Sequence, residues 1–161
     1  MSHRKHKLKV KEIKRAFAAS AAFDGDVVRS PGYWESPEIS DYFSKKHWQE
    51  VANEKLLDYR SSHPHFTDEA YRYFLPAYLV VSIGHRLGGE VDGFTFYSLT
   101  PPKDGQSEEM EDFLKRISGF TKEQLSVIRK FALQFAEENR TYLSEDDRRT
   151  EEFWETYEPP D

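Results

Sequence analysis

Apolar positions fall three and four residues apart along most of this chain, the period of an amphipathic helix. In the first segment Ile13, Ala16, Phe17, Ser20 and Ala21 share one face. They predict a helix over 8–22, ended by the turn formers Asp24-Gly25-Asp26. A loop follows, Ser30-Pro31-Gly32-Tyr33-Trp34-Glu35-Ser36-Pro37. Ser36 is placed to cap a short helix over 37–44, with Pro37 at the first helical position, where no amide hydrogen is needed. Asn53 is placed to cap a helix over 54–61 anchored by Leu56 and Leu57.

Residues 68–83 form the most apolar stretch, with Thr67 as its cap and Phe66 and Tyr71 as a hydrophobic staple. Ala70, Tyr71, Phe74, Leu75, Tyr78, Leu79 and Ile83 trace one broad face, and Val80 and Val81 widen it. Such a band implies burial on more than one side. Pro76 lies within it and predicts a kink or a division into two helices. Beyond Gly88-Gly89, the run Phe94-Thr95-Phe96-Tyr97-Ser98-Leu99 has strand-like composition, so a minor extended segment is expected near 93–99.

Ser107 is placed to cap a helix over 108–117 that turns Met110, Phe113, Leu114 and Ile117 inward and stops at Gly119. Thr121-x-x-Gln124 is a capping box, stapled by Phe120 and Leu125. It opens a helix over 122–139 with Leu125, Ile128, Phe131, Ala132 and Phe135 on one stripe. Ser144-x-x-Asp147 opens a last, largely acidic helix over 145–157 whose apolar residues are Phe153, Trp154 and Tyr157. The pattern as a whole predicts an all-α fold. It is a single domain over 1–161 with six or seven helices around an aromatic core, frayed at 1–7 and 158–161.

Composition fits this picture. Only 37% of the 161 residues are hydrophobic, but 12 Phe, 9 Tyr and 3 Trp supply ring area for a core. Cysteine is absent, which excludes disulfides, thiolate zinc sites and cysteine nucleophiles. Net charge is −6 and unevenly spread. Seven Lys/Arg crowd residues 1–15, and ten Asp/Glu crowd residues 137–161. An acidic chain is a poor match for nucleic acid, which demands clustered positive charge. No apolar run approaches the roughly 20 residues that cross a bilayer, so no membrane partner is expected. No apolar segment follows the basic start, so a cytoplasmic location is expected rather than secretion.

Candidate chemistry is sparse. His63-Pro64-His65, followed by Asp68 and Glu69, offers ligand types suited to zinc or iron, but no helical spacing fixes a third ligand. A loop turn followed by a helix cap explains the same residues, and no metal or cofactor is assigned. His47 and His85 are candidate general bases without an adjacent carboxylate or hydroxyl pattern. The carboxylate pairs Glu108-Glu109, Glu111-Asp112, Glu137-Glu138 and Glu151-Glu152 lie in charged helical stretches and read as solvated faces. The basic start can balance the acidic last helix, or else touch nucleic acid or an anionic membrane. Tyr33 and Trp34, in a loop of turn formers, are candidate partner anchors.

The phrase Phe66-Thr67-Asp68-Glu69-Ala70-Tyr71-Arg72-Tyr73-Phe74-Leu75-Pro76-Ala77-Tyr78-Leu79 resembles the mid-chain signature L-T-P-E-A-F-R-Y-Y-L-P-A-Y-L of an uncharacterised bacterial family, a domain of unknown function. Two further phrases match in order: the Trp-containing Lys46-His47-Trp48-Gln49-Glu50-Val51 upstream, and the helix start Phe120-Thr121-Lys122-Glu123-Gln124 downstream. The resemblance covers about residues 10–138. Asp68 stands where the family phrase commonly has Pro, and either residue suits a first helical turn. The resemblance implies a helical fold and brings no activity or site residues.

The functional expectation is therefore a non-enzymatic domain that binds a protein, with Tyr33, Trp34, Asp146, Asp147, Glu151 and Glu152 as candidate contacts. Acidic charge favours a basic partner, and one version is an immunity-type protein that covers a bacterial toxin. The alternatives are a metal-dependent enzyme built around His63 and His65, and nucleic-acid binding through the basic first helix.

Overall fold

The computed structural model describes residues 7–29, 36–84 and 90–160. Eight α-helices occur among them: α1 (Val10–Ala16), α2 (Ser36–Phe43), α3 (Asn53–Asp58), α4 (Asp68–Gly84), α5 (Val91–Tyr97), α6 (Glu108–Ile117), α7 (Lys122–Glu138) and α8 (Glu145–Thr156). Three single 3-10 turns, Trp48–Glu50, His63–His65 and Arg140–Tyr142, join them. The described residues contain no strand. One isolated antiparallel bridge, Val28 to Phe66, ties the loop after α1 to the start of α4.

Helix α4 is the hub, packed by α1, α3, α5 and α6 and by the two turns before it. Its broad apolar band explains this, since Ala70, Tyr71, Phe74, Leu75, Ala77, Tyr78, Leu79 and Val81 are all buried. Pro76 is buried inside a single continuous α4, so the division into two helices does not occur. Helix α7 carries α8 on one side and meets α1 and α5 on others. The core is aromatic, with Phe43, Phe66, Phe74, Phe96, Tyr71, Tyr78 and Trp154 fully enclosed.

The expected extended segment near 93–99 is corrected: residues 91–97 form α5. Val91, Thr95, Phe96 and Leu99 are the buried positions, a helical spacing that the ring-rich run had masked. The Thr95 hydroxyl donates to the Val91 carbonyl at 2.8 Å, which lets a β-branched residue sit within a helix. Phe96 stacks on Phe135 of α7 at 4.4 Å, so tertiary packing overrides local strand propensity.

The first helix is also shorter than the expected 8–22. It ends at Ala16 because its last carbonyls are satisfied from elsewhere in the fold. Gln124 Nε2 donates to the Ala16 carbonyl at 3.1 Å, and Trp48 Nε1 donates to that of Phe17 at 3.0 Å. The chain then runs as a loop whose carbonyls at Ala19, Ala21 and Asp26 accept from His47, Tyr73 and Thr67. Asn53, expected as a cap, is the first residue of α3, and Ala52 stands at the cap position without a side-chain bond.

Ser36, also expected as a cap, is the first residue of α2. The caps of α6, α7 and α8 match expectation. Thr121 and Gln124 exchange backbone-to-side-chain bonds at 3.0 Å each. Ser144 and Asp147 do the same at 3.0 and 3.1 Å. Ser107 accepts from Met110 N–H at 3.1 Å.

Candidate functional site

Residues 62–72 bring together the most perturbed groups in the molecule. Tyr71 and Tyr78 lie two turns apart on one face of α4, about 10 Å along the axis at 1.5 Å per residue. The His63 ring fills the gap, 4.1 Å from Tyr71 and 4.3 Å from Tyr78, within 16° of parallel to each. On the outer face of Tyr71 sits the Arg116 guanidinium, 4.4 Å from the ring centre. The column therefore runs Arg116, Tyr71, His63, Tyr78.

His63 Nε2 lies 3.0 Å from the Tyr71 carbonyl. A carbonyl accepts only, so Nε2 carries the proton and Nδ1 holds the lone pair. Nδ1 is buried without a hydrogen-bond partner. Burial pushes the His63 pKa down to about 3, the Tyr71 carbonyl bond opposes that shift, and the nearby Arg116 charge adds to it. Burial likewise raises Tyr71 to about 12 and raises Tyr78 further still. A histidine held neutral between two rings is a packing element, and so cannot serve as a proton carrier near neutrality.

The alternative reading of His63 and His65 as metal ligands finds no cluster among the described residues. His63 is enclosed while His65 is exposed, and among the described residues no group of three His, Asp or Glu side chains is arranged to hold a metal ion. His47, a candidate base, is committed at both nitrogens. Nδ1 accepts from Gln49 N–H at 3.1 Å, and Nε2 donates to the Ala19 carbonyl at 2.9 Å. His85, Tyr33 and Trp34 lie outside the described residues.

Arg116 had no signal in the sequence beyond being one more charge on an amphipathic helix. It is nonetheless buried, and its guanidinium reaches Asp68 Oδ1 at 2.8 Å and the carbonyls of Pro64 and Phe66 at 3.2 and 2.6 Å. Arg72 answers from α4 by donating to the Arg116 carbonyl at 2.7 Å. Its guanidinium lies across Gly119, where a Cβ would come within 2.3 Å of it. The two arginines rivet the C-terminal end of α6 to α4 and to the turn before it.

The four predicted contact acids of α8 divide by role. Glu151 takes a two-pronged bond from Arg140 at 2.7 and 2.6 Å, which holds its carboxyl below the usual range. Asp146 pairs with Arg149 at 2.8 Å. Asp147 closes the capping box. Only Glu152 points outward without an ion pair. Among the described residues no ion pair joins the basic start to α8, against expectation. The ion pairs of α1 run to α7, Arg15 to Glu123 at 3.5 Å and Glu12 to Lys130 at 2.8 Å.

Four further acids without an ion pair lie on α6. Glu108, Glu109, Glu111 and Asp112 are all exposed and enter no ion pair. Glu109 and Glu111 flank an apolar stripe that was expected to face inward, yet of its residues only Ile117 is buried. Met110 and Phe113 are half-buried, and Leu114 is 37% exposed. Phe113 meets Phe153 of α8 edge-on at 5.4 Å, and Phe153 stacks on Tyr157 at 4.9 Å, both half-buried. An acid-bordered, partly open apolar strip thus crosses from α6 to α8.

Two clefts complete the surface. One of about 210 Å³ lies between α7 and the end of α8, and its Arg129 already donates to the Trp154 and Tyr157 carbonyls. A larger one of about 610 Å³ is lined by Gly25–Arg29, Pro37, Ser40, Ser44 and Thr67.

No helix among the described residues is long and apolar enough to cross a membrane. Comparison with curated proteins and with solved structures gives no match. Among protein families, a family of unknown function, DUF6714, matches residues 11–158, nearly the whole chain. The resemblance read from the central-helix phrase thus extends through α8, and the chain belongs to the DUF6714 family.

Proposed function

We propose that this protein is a non-enzymatic binding domain of a bacterial cytoplasm whose partner is a basic protein. The observation that supports this most is the set of four unpaired carboxylates on α6 beside an apolar strip the fold leaves half open. Exposed apolar area bordered by charge of one sign is a common form of recognition surface. Its sign sets the partner's, and speeds encounter with it. An immunity-type protein that covers a basic toxin is the specific version that size and charge favour.

The two histidines of the metal-enzyme alternative are one enclosed and one exposed, so the geometry lends it no support. The nucleic-acid alternative keeps one supporting observation: Lys7, Lys9, Lys11 and Lys14 are exposed. Leu8 and Ile13 of the same segment are buried, so its test is replacement of those four lysines by Gln, not deletion.

The experiment is capture of the tagged chain from its native cells at moderate salt, beside a variant with Glu108, Glu109, Glu111 and Asp112 changed to Lys. The reading predicts a stoichiometric basic protein with the native chain and its loss with the variant. A chain that emerges alone, or a partner indifferent to the substitutions, contradicts it.

A further inference from the structure

The open half of α6 has a defined shape as well as a charge. Its C-terminal end is fixed by Arg116 and Arg72, while Met110, Phe113 and Leu114 lie along the end that no other helix covers fully. Met110 and Leu114 are four residues apart and Phe113 lies between them, so the three form one ridge. The ridge continues onto Phe153 and Tyr157 of α8. At 100° per residue Glu109 and Glu111 flank it, one on each side, while Glu108 and Asp112 lie on the opposite face of α6; none of the four enters an ion pair.

We propose that this ridge is the docking surface for an amphipathic basic helix of the partner protein. Apolar residues of that helix at helical spacing cover Met110, Phe113 and Leu114, and its flanking Lys or Arg meet Glu109 on one side and Glu111 on the other. This rests on the binding reading above and assigns it a place and a partner chemistry. A second copy of the chain is a poor occupant, because a two-fold contact would set the same carboxylates against each other. Nucleic acid and anionic lipid are repelled by the same charge. An amphipathic helix matches both features at once, the apolar ridge through its stripe and the border through its flanks.

A fluorescent helical peptide with Leu at the stripe positions and Lys elsewhere is the probe, with a Gln/Lys peptide of equal charge as its control. The readouts are anisotropy and amide hydrogen exchange on the full chain. Expected are binding of the Leu/Lys peptide, added protection over residues 108–118, and affinity at least about tenfold lower for Leu114→Ser and for Glu109→Lys with Glu111→Lys. Leu114 is partly exposed, so its Ser variant is expected to melt within a few degrees of the native chain. Glu138→Lys, on the far end of α7, is expected to bind as the native chain does.

Three results overturn the proposal: no binding of the Leu/Lys peptide, equal binding of the Gln/Lys peptide, or equal weakening by Glu138→Lys. Sedimentation showing a dimer that Leu114→Ser dissociates also overturns it, by giving the ridge to a second copy. A native partner whose protection falls away from residues 108–118 overturns the location alone and leaves the binding reading standing.

Discussion

At the scale of single residues, the account turns on His63 and Arg116. His63 is neutral in the folded chain well below the pH at which it protonates in the unfolded one. As pH falls from about 6.5 toward 3, the unfolded state takes up a proton that the folded state refuses. Stability contributed by this residue is therefore full above 6.5 and drains by about 1.4 kcal/mol per pH unit below it. Denaturant melts across this range should show a limb steeper by about one proton in the native chain than in a His63→Phe variant. Equal slopes would mean that the ring is not kept neutral.

Arg116 satisfies two carbonyls and one carboxylate from a buried position. Arg116→Met should lower unfolding free energy by on the order of 3 kcal/mol, because those acceptors lose their donor. Asp68 keeps some solvent contact, so Asp68→Asn should cost clearly less. Neither role was legible in the sequence. The chain shows a histidine in a turn and an arginine on a charged helix, and what changes them is long-range placement by α4.

At the scale of elements, legibility followed the locality of the forces. The boxes Thr121-x-x-Gln124 and Ser144-x-x-Asp147 are complete within four residues and form as read. Thr121→Ala should cost about 1 kcal/mol, near 3 °C in melting temperature, and Ser144→Ala a similar amount. A loss below a few tenths of a kcal/mol at both would show these helix starts to be held by packing alone. Elements whose limits depend on distant groups were misjudged. Helix α1 stops early because Gln124 and Trp48 claim its last carbonyls, and α5 is helical because Phe96 must meet Phe135. The Ala-rich tail after α1 and the ring-rich run at 94–99 carry local preferences that those contacts outweigh.

At the scale of the molecule, charge is partly used up by the fold itself. The acids of α8 and the bases of α1 looked like a complementary pair in the sequence. In the structure their ion pairs run elsewhere: Glu151 of α8 to Arg140, Asp146 to Arg149 within α8 itself, and Arg15 of α1 to Glu123 of α7, while Lys11 and Lys14 stay exposed. Among the acids left without an ion pair are the four carboxylates of α6, which the sequence reading had set aside as a solvated face. Their signal was present, since Leu114 sits among four acids at a position that a small core need not reach.

The most direct measurement is the association rate of the captured partner with the native chain as ionic strength rises from low to physiological. The account predicts a steep fall in association rate with little change in dissociation rate, and a shallower fall when the four α6 carboxylates are made neutral. An association rate that is flat with salt, or equally steep without those carboxylates, would contradict it.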